Sequence, residues 1–256
     1  MAGAGKNYTL GKGKLFLNIF EEGLNTGKGE IYFSQTPELS FTVATEKLDH
    51  YDSDEGINVL DEQVTTKVDV NGKFKTDNIS PDSMGLFLLS GTSTNVVTAA
   101  GTGVVDTITA YKGRFYQLGT TANNPVGVRS ASNAVVKKGV TVIAPANYTF
   151  DGPLARIYIK PDAADITDAD SITVTYDVAA STREQTISRD KQVRGSMRFQ
   201  SANPVGAQRD FFFPLVNITP DGDYSLKGDQ WLEVGFAFAA LKLGTLERVY
   251  ADGRPL

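Results

Sequence analysis

The segment Val64-Thr-Thr-Lys-Val-Asp-Val70 has a period of two, which indicates a β-strand with one face turned towards a core. Its even positions are valines, with Thr66 as the exception. Its odd positions are polar and turn the other way; they are Thr65, Lys67 and Asp69. This alternation is typical of an antiparallel strand that is buried on one side and faces water or a partner on the other.

The same alternation continues in both directions along the chain. Residues 39–43 place apolar side chains at odd positions, and residues 193–199 and 232–238 show looser versions of the pattern. Further strands are predicted at 15–20, 30–33, 157–159, 172–176 and 211–218. One helix is predicted over about 80–90, where Ser80 is a suitable N-cap and is followed by a proline. The sequence therefore predicts a mostly β protein with one short flanking α-helix.

The composition excludes several kinds of site. The chain has 256 residues, no cysteine, one histidine and a net charge of −5. Disulfides and zinc–thiolate sites are therefore excluded, and the acidic balance argues against tight binding of nucleic acid. The longest nearly unbroken apolar run, 234–241, is far shorter than the ~20 residues of a membrane helix. Residues 1–6 contain no apolar region of a secretory signal, so we expect synthesis in a cytoplasm and no membrane anchor.

No motif for catalysis or cofactor binding is recognisable. The sequence contains no phosphate-binding loop, dinucleotide fingerprint or nucleophile elbow. A histidine-based triad would need His50, which lies in an acidic polar loop predicted over 48–60. Residues 52–56 are similar to the start of a calcium loop, but Gln63 stands where an EF-hand has its distal glutamate. We therefore expect that the protein is not an enzyme and that it binds neither a metal nor a cofactor. The alternative of a carboxylate-based hydrolase stays open because acidic residues are numerous.

Several segments, taken in their order along the chain, carry a resemblance. The first group is Thr45-Glu-Lys-Leu-Asp-His-Tyr-Asp-Ser53, Gly56-Ile-Asn-Val59 and Lys75-Thr-Asp-Asn-Ile-Ser80. The second group is Asn203-Pro-Val-Gly206, Phe211-Phe-Phe-Pro-Leu-Val216 and Pro220-Asp-Gly-Asp-Tyr-Ser-Leu-Lys227, followed by Trp231. Over residues 28–90 and 190–245 the chain resembles the major tail tube proteins of long, non-contractile-tailed (siphovirus-type) bacteriophages.

The resemblance implies a tail-tube-type β-sandwich or barrel that assembles with copies of itself. Six subunits would close into a ring by pairing strands into a continuous inner barrel, and the rings would stack into a tube through which DNA leaves the capsid. The family uses the long loop between the second and third main strands to reach a neighbouring ring or subunit. In this chain the corresponding contact residues are Leu48, Asp49, His50, Tyr51, Asp52, Asp54, Glu55, Ile57, Val59 and Leu60.

We further hypothesise that the polar faces of four strands line the lumen. Small hydroxyl groups and mixed charges would hold DNA weakly, whereas a tube that gripped each phosphate would stall ejection. The candidates are Ser40, Thr42, Glu46, Thr65, Lys67, Asp69, Arg194, Ser196, Arg198 and Glu233. Strand faces that are simply exposed to solvent would show the same alternation.

The middle of the chain is longer than a minimal tube subunit needs. We predict a tail tube core domain of residues 1–111 together with 184–256, and a β-rich, outward-facing insertion or elaboration at 112–183. The implied location is the tail of the virion, after synthesis in the host bacterial cytoplasm. The implied partners are further copies of the chain, the tape measure protein, the tail tip and terminator proteins, and double-stranded DNA that passes without sequence-specific binding. The alternative is a virion decoration or receptor-binding β module, which predicts a stable monomer or trimer.

Overall fold

The structure is a computed structural model that describes residues 8–54, 56–90 and 93–254. Residues 1–6 and the predicted contact residue Glu55 lie outside these ranges. The described chain is mostly β, with several antiparallel sheets and one α-helix, which confirms the predicted fold class. No sheet closes into a barrel within the described ranges.

The elements, in chain order, are β1 (Gly13–Ile19), β2 (Ile31–Tyr32), β3 (Glu38–Asp52), β4 (Val59–Thr76), α1 (Pro81–Phe87), β5 (Thr94–Thr98), β6 (Gly101–Ala110), β7 (Phe115–Gln117), β8 (Ala131–Lys138), β9 (Thr141–Val142), a 3-10 turn (Pro145–Asn147), β10 (Tyr148–Asp151), β11 (Arg156–Ile159), β12 (Asp170–Val178), β13 (Ser181–Gln185), β14 (Val193–Ser201), β15 (Arg209–Pro220), β16 (Val234–Ala240) and β17 (Tyr250–Gly253).

The chain forms two compact units. Unit 1 consists of residues 1–94 and 186–256, and unit 2 consists of residues 95–185. The sequence-based division fell at residue 111 and therefore assigned β6 to the core domain. In the structure β6 pairs with β12 of unit 2, from Ala110 opposite Asp170 to Gly101 opposite Val178. Alternation reports which face of a strand is buried and not which strand lies beside it, so the sequence could not locate this boundary.

Unit 1 is built on one antiparallel sheet with the strand order β2-β1-β14-β15-β16-β4-β3, and β17 pairs with β15. Aromatic rings fill the core on one face of this sheet. Phe74 and Phe236 stack with their centroids 5.0 Å apart, and Phe33 meets both rings edge-on. Leu86 of α1 is buried in the same core. The opposite face of the sheet is therefore the one that carries polar side chains.

The helix α1 begins with a capping box. The Ser80 hydroxyl accepts a hydrogen bond from the Ser83 amide at 3.2 Å, and the Ser83 hydroxyl accepts one from the Ser80 amide at 2.8 Å. The helix ends at Phe87, shorter than predicted, because Leu89 adopts a left-handed conformation with φ of 53°. Only two turns are needed to place Leu86 against the sheet.

The strands β3 and β4 form one long hairpin. Their pairing runs from Glu38 opposite Lys75 to Asp52 opposite Val59. The predicted loop over 48–60 is therefore strand at 48–52 and 59–60, and only residues 53–58 connect the two strands. The register shifts twice in this hairpin, and such β-bulges break the period of two by which strands are recognised in sequence.

Unit 2 has a core of its own between two sheets, β10-β11-β7 and β6-β12-β8-β9. Leu118, Val136, Ile157 and Val174 are fully buried there. The Tyr176 hydroxyl donates a hydrogen bond to Asp106 Oδ2 at 3.0 Å. Burial of the phenol, with Asp106 beside it, raises the pKa of Tyr176 far above its usual value, so this side chain remains a neutral phenol.

The position of Gly72 in β4 leads to a prediction about stability. A Cβ at this position would collide with the ring of Phe238 and with the Ser40 carbonyl. We expect Gly72→Ala to lower the free energy of unfolding of unit 1 by about 1–3 kcal/mol, as overpacking of a dense core does. Chemical denaturation measures this change. Gly253→Ala in β17 is the matched control, since a Cβ there meets open space, and an equal loss in both variants would contradict the argument.

Candidate lumen and assembly surfaces

The polar sheet face is the face of the unit 1 sheet that lies opposite the aromatic core. Residues that pair across neighbouring strands form a row on this face. The row starts at Thr42 in β3 and continues through Asn71, Ala239 and Asn217 to Arg194 in β14. A second row starts at Ser40 and passes through Lys73 and Ala237 to Thr219. The structure therefore brings the predicted residues of β3 and β14 onto one continuous surface.

Most of the predicted lumen candidates share this polar sheet face. Glu46 pairs with Lys67 in the ladder, and Asp69 lies one step further along β4 on the same side. Ser196 lies on this side too but is only 8% exposed. The candidates that the strand pairing places on the polar sheet face are Ser40, Thr42, Glu46, Lys67, Asp69, Arg194, Ser196 and Arg198. Glu233 precedes β16 and lies next to this face, since its carboxylate is 3.9 Å from Lys75 Nζ.

Thr65 is separated from this group. It pairs with Lys47, one step beyond the register shift that follows the Glu46–Lys67 pair. Lys47 and Asp49 both bond the side chain of Gln63, which places this group on the other side of the hairpin from Lys67. The extra residue of the bulge thus turns Thr65 away from the face that strict alternation predicts.

Four cations of the polar sheet face, Lys67, Lys73, Lys75 and Arg198, are paired with carboxylates, whereas Arg194 is in no ion pair with a described residue. Lys67 Nζ lies 2.8 Å from Asp69 Oδ2 and 3.2 Å from Glu46 Oε1. Hydrogen bonds from Lys67 to Asp69, and then to Glu46, raise the pKa of Lys67. The other pairs are Lys73 with Asp221 at 2.9 Å, Lys75 with Glu38 at 3.2 Å and with Glu233 at 3.9 Å, and Arg198 with Glu30 at 2.9 Å. These four cations are opposed by six carboxylates, so the paired groups of this surface carry a small net negative charge.

Sequence reasoning missed part of this surface. Asn217, Thr219, Ala237 and Ala239 line a concavity of about 430 Å³ on the polar sheet face, together with Ser40 and other residues of β3 and β4. The signal was present in β16, where small residues alternate with Phe236 and Phe238. Asn217 and Thr219 lie in β15, whose run of aromatic and aliphatic residues hides the alternation that would assign them to a face.

The outer part of the β3–β4 hairpin is a two-stranded ribbon. We call residues 45–52 and 59–68 the ribbon, because β16 pairs with β4 only over residues 70–76. Every ribbon residue is exposed. The cross-strand partners Leu48 and Val64 are 68% and 53% exposed, and Tyr51 and Leu60 form a second exposed pair on the other side.

The ribbon and its connection are also strongly acidic. Residues 46–62 contain seven carboxylates and a single lysine, Lys47. His50 Nδ1 lies 2.6 Å from Asp61 Oδ1, and the Asp52 side chain accepts a hydrogen bond from the Asp54 amide at 3.0 Å. Ile57 and Val59 are 75% and 59% exposed at the tip. The predicted contact residues, with Glu55 outside the described ranges, thus share one projecting tip.

Two further features of the described residues concern other classes of site. No group of three or more His, Asp or Glu side chains is arranged to hold a metal ion within the ranges that the structure describes. Among the described residues, no helix has the length and apolar character required to cross a membrane.

The fold and these surfaces define a mostly β protein whose main sheet has one aromatic core face, one polar face and a projecting ribbon. A family model described as protein of unknown function UCP028589 matches residues 8–242. The chain belongs to this family. No curated protein matches the chain.

Proposed function

We propose that this protein is a structural subunit of a bacteriophage tail tube. Copies of the chain close into rings, with six as the expected number, and the rings stack into a tube for the delivery of DNA. The observation that carries the proposal is the ribbon, which exposes apolar side chains on both of its faces. The resemblance of residues 28–90 and 190–245 to major tail tube proteins supports the same conclusion.

The ribbon needs a partner for physical reasons. A two-stranded hairpin without further cover is at best marginally stable in water. Leu48, Tyr51, Leu60 and Val64 contribute nothing to the core of their own chain, since all four remain largely exposed. Contact with a neighbouring copy would remove these side chains from water. The assembly would gain about 25 cal/mol of free energy for each Å² of apolar surface that becomes buried.

The unpaired edge of the unit 1 sheet also supports self-assembly into rings. β3 is the terminal strand of the unit 1 sheet over all fifteen of its residues, and its outer edge is unpaired among the described residues. A long exposed edge strand pairs readily with another chain, and closure of a ring removes such edges. Head-to-tail contacts of this type generate rings, and stacking of the rings extends them into a tube.

The charge pattern of the polar sheet face supports our assignment of this face to the lumen of the tube. DNA binding strengthens with each phosphate that a free cation neutralises. Here Lys67, Lys73, Lys75 and Arg198 are already paired with carboxylates of the same chain, and Arg194, which is half-buried, is the one cationic lumen candidate without such a pair among the described residues. Against such a surface, double-stranded DNA keeps its hydration and makes only weak polar contacts. This favours passage of the DNA through the tube over its binding to the wall.

Freeing Lys67 from its two carboxylates tests this assignment. We expect Glu46→Gln combined with Asp69→Asn to raise the affinity for double-stranded DNA and to steepen the plot of log affinity against log salt by about 0.9 for each added phosphate contact. Fluorescence anisotropy with a labelled duplex at several salt concentrations measures both quantities. The control is Asp162→Asn with Glu184→Gln in unit 2, which changes the net charge equally. Equal behaviour of both double variants would refute a specific role for the polar sheet face.

The assembly itself is tested by negative-stain electron microscopy and size-exclusion chromatography of the purified chain at rising concentration. Hollow rings or tubes are the expected result, and their symmetry gives the ring number. A compact monomer at every concentration, even after seeding with tail fragments, would favour the alternative of a virion decoration or receptor-binding module. In that case we would no longer propose the tape measure, tail tip and terminator proteins as partners.

A further inference from the structure

The only histidine of the chain, His50, lies among carboxylates on the ribbon. Its Nδ1 atom is 2.6 Å from Asp61 Oδ1. Glu62 is its direct partner across the two strands, and Asp52 lies two residues further along β3 on the same side. Among the described residues, His50 is the one basic side chain that forms an ion pair with any of these three carboxylates.

The two lysines of the ribbon do not offset the negative charge beside the imidazole. Lys47 lies on the opposite side of β3, where it bonds Gln63 Oε1 at 2.6 Å. Lys67 is already bonded to two other carboxylates. Carboxylates become protonated only in more acidic solution. Near neutral pH, the net charge on this side of the ribbon therefore changes only with the charge of His50.

The acidic group lies next to the apolar pair that we expect to be buried in the assembly. Leu48 is two residues from His50 on the same side of the ribbon, opposite Val64. A contact that covers this pair also removes the imidazole and the carboxylates beside it from water. Burial of a carboxylate is costly unless the carboxylate is bonded to a cation. A neutral imidazole donates one N–H and leaves the charge of Asp61 in place, whereas a protonated imidazole offsets that charge and donates from both nitrogens.

We propose that His50 makes self-assembly dependent on pH, because the ribbon binds a second copy most tightly when this imidazole is protonated. Histidine is the residue type that ordinarily changes its charge between about pH 5 and pH 8. Since assembly takes up protons at His50, it becomes tighter as the pH falls and weaker as the pH rises, by at most about tenfold per pH unit for each contact. The inference rests on the proposed self-assembly and identifies how its main contact is regulated.

The test is the protein concentration needed for assembly at about pH 6 and about pH 8. Light scattering measures it, and electron microscopy of the same samples identifies rings or tubes. We expect the wild-type chain to assemble at a concentration at least about fivefold lower at the lower pH. In His50→Gln, which retains an N–H donor without the charge, the two concentrations should be equal. Asp162→Asn in unit 2 is the control and should keep the dependence of the wild type.

The outcomes separate the role of His50 from self-assembly itself. The same dependence on pH in the wild type and in His50→Gln, including no dependence in either, would overturn the inference and leave the proposed function standing. Tighter assembly of the wild type at the higher pH would overturn it too. If the wild type forms no assemblies at either pH, the inference falls together with the proposed function. Chemical denaturation of His50→Gln should match the wild type, since the His50 side chain is 72% exposed in the subunit.

Discussion

Replacing both Leu48 and Val64 by serine is expected to abolish self-assembly at concentrations at which the wild-type chain forms rings. The two residues are direct cross-strand partners in the ribbon and remain 68% and 53% exposed in the subunit. Full burial of a fully exposed side chain of this size contributes about 1.5–3 kcal/mol. Somewhat more than half of each side chain is still exposed in the subunit, so the double variant loses about 2–4 kcal/mol per contact. This corresponds to a rise of roughly 30- to 10³-fold in the concentration needed for assembly.

The same double variant should unfold like the wild type. Neither side chain packs against the core of unit 1, so the chemical denaturation of the monomer should change by no more than about 0.5 kcal/mol. Light scattering and electron microscopy measure the assembly. Val142→Ser in unit 2, where the valine is 59% exposed, controls for the loss of an exposed aliphatic group elsewhere. Unchanged assembly of the ribbon variant would remove the observation on which the proposed function depends.

Phe236→Ala is expected to have the largest effect on stability. Phe236 is fully buried, stacks on Phe74 and meets Phe33 and Phe87 edge-on. Truncation of a buried phenylalanine typically costs about 3–5 kcal/mol, because it removes both the transfer free energy and the contacts across the resulting cavity. The loss should appear in unit 1, whose core contains all four rings or is in contact with them.

Hydrogen exchange distinguishes the two units in this experiment. Phe236→Ala should reduce protection of the amides in β14, β15 and β16, while those of β12 keep their protection because unit 2 has its own core. Ile157→Ala is the matched variant, since Ile157 is fully buried in unit 2 and should give the reverse pattern. If both variants lowered protection throughout the chain, the two units would unfold as one cooperative block.

The sequence by itself determined the strand content, the short helix and the polar faces. The period-two pattern of 64–70 and 39–43 is a direct consequence of strand geometry, and Ser80 followed by proline specifies a helix start through local hydrogen bonds. The placement of Ser40, Thr42, Lys67 and Asp69 away from the core followed from the same local rule. These features depend on neighbours within a few residues, so a single sequence contains them.

Only the tertiary structure decided which strands pair and how far the hairpin projects. The assignment of β6 to unit 2 depends on β12, which lies far along the chain, and the displacement of Thr65 depends on one extra residue in the ladder. The exposure of Leu48, Val64 and Trp231 could not be read from their apolar character, since the same residue types fill a core elsewhere. Local alternation predicts which face of a strand is apolar, but whether that face is covered depends on the elements that long-range pairing brings against it.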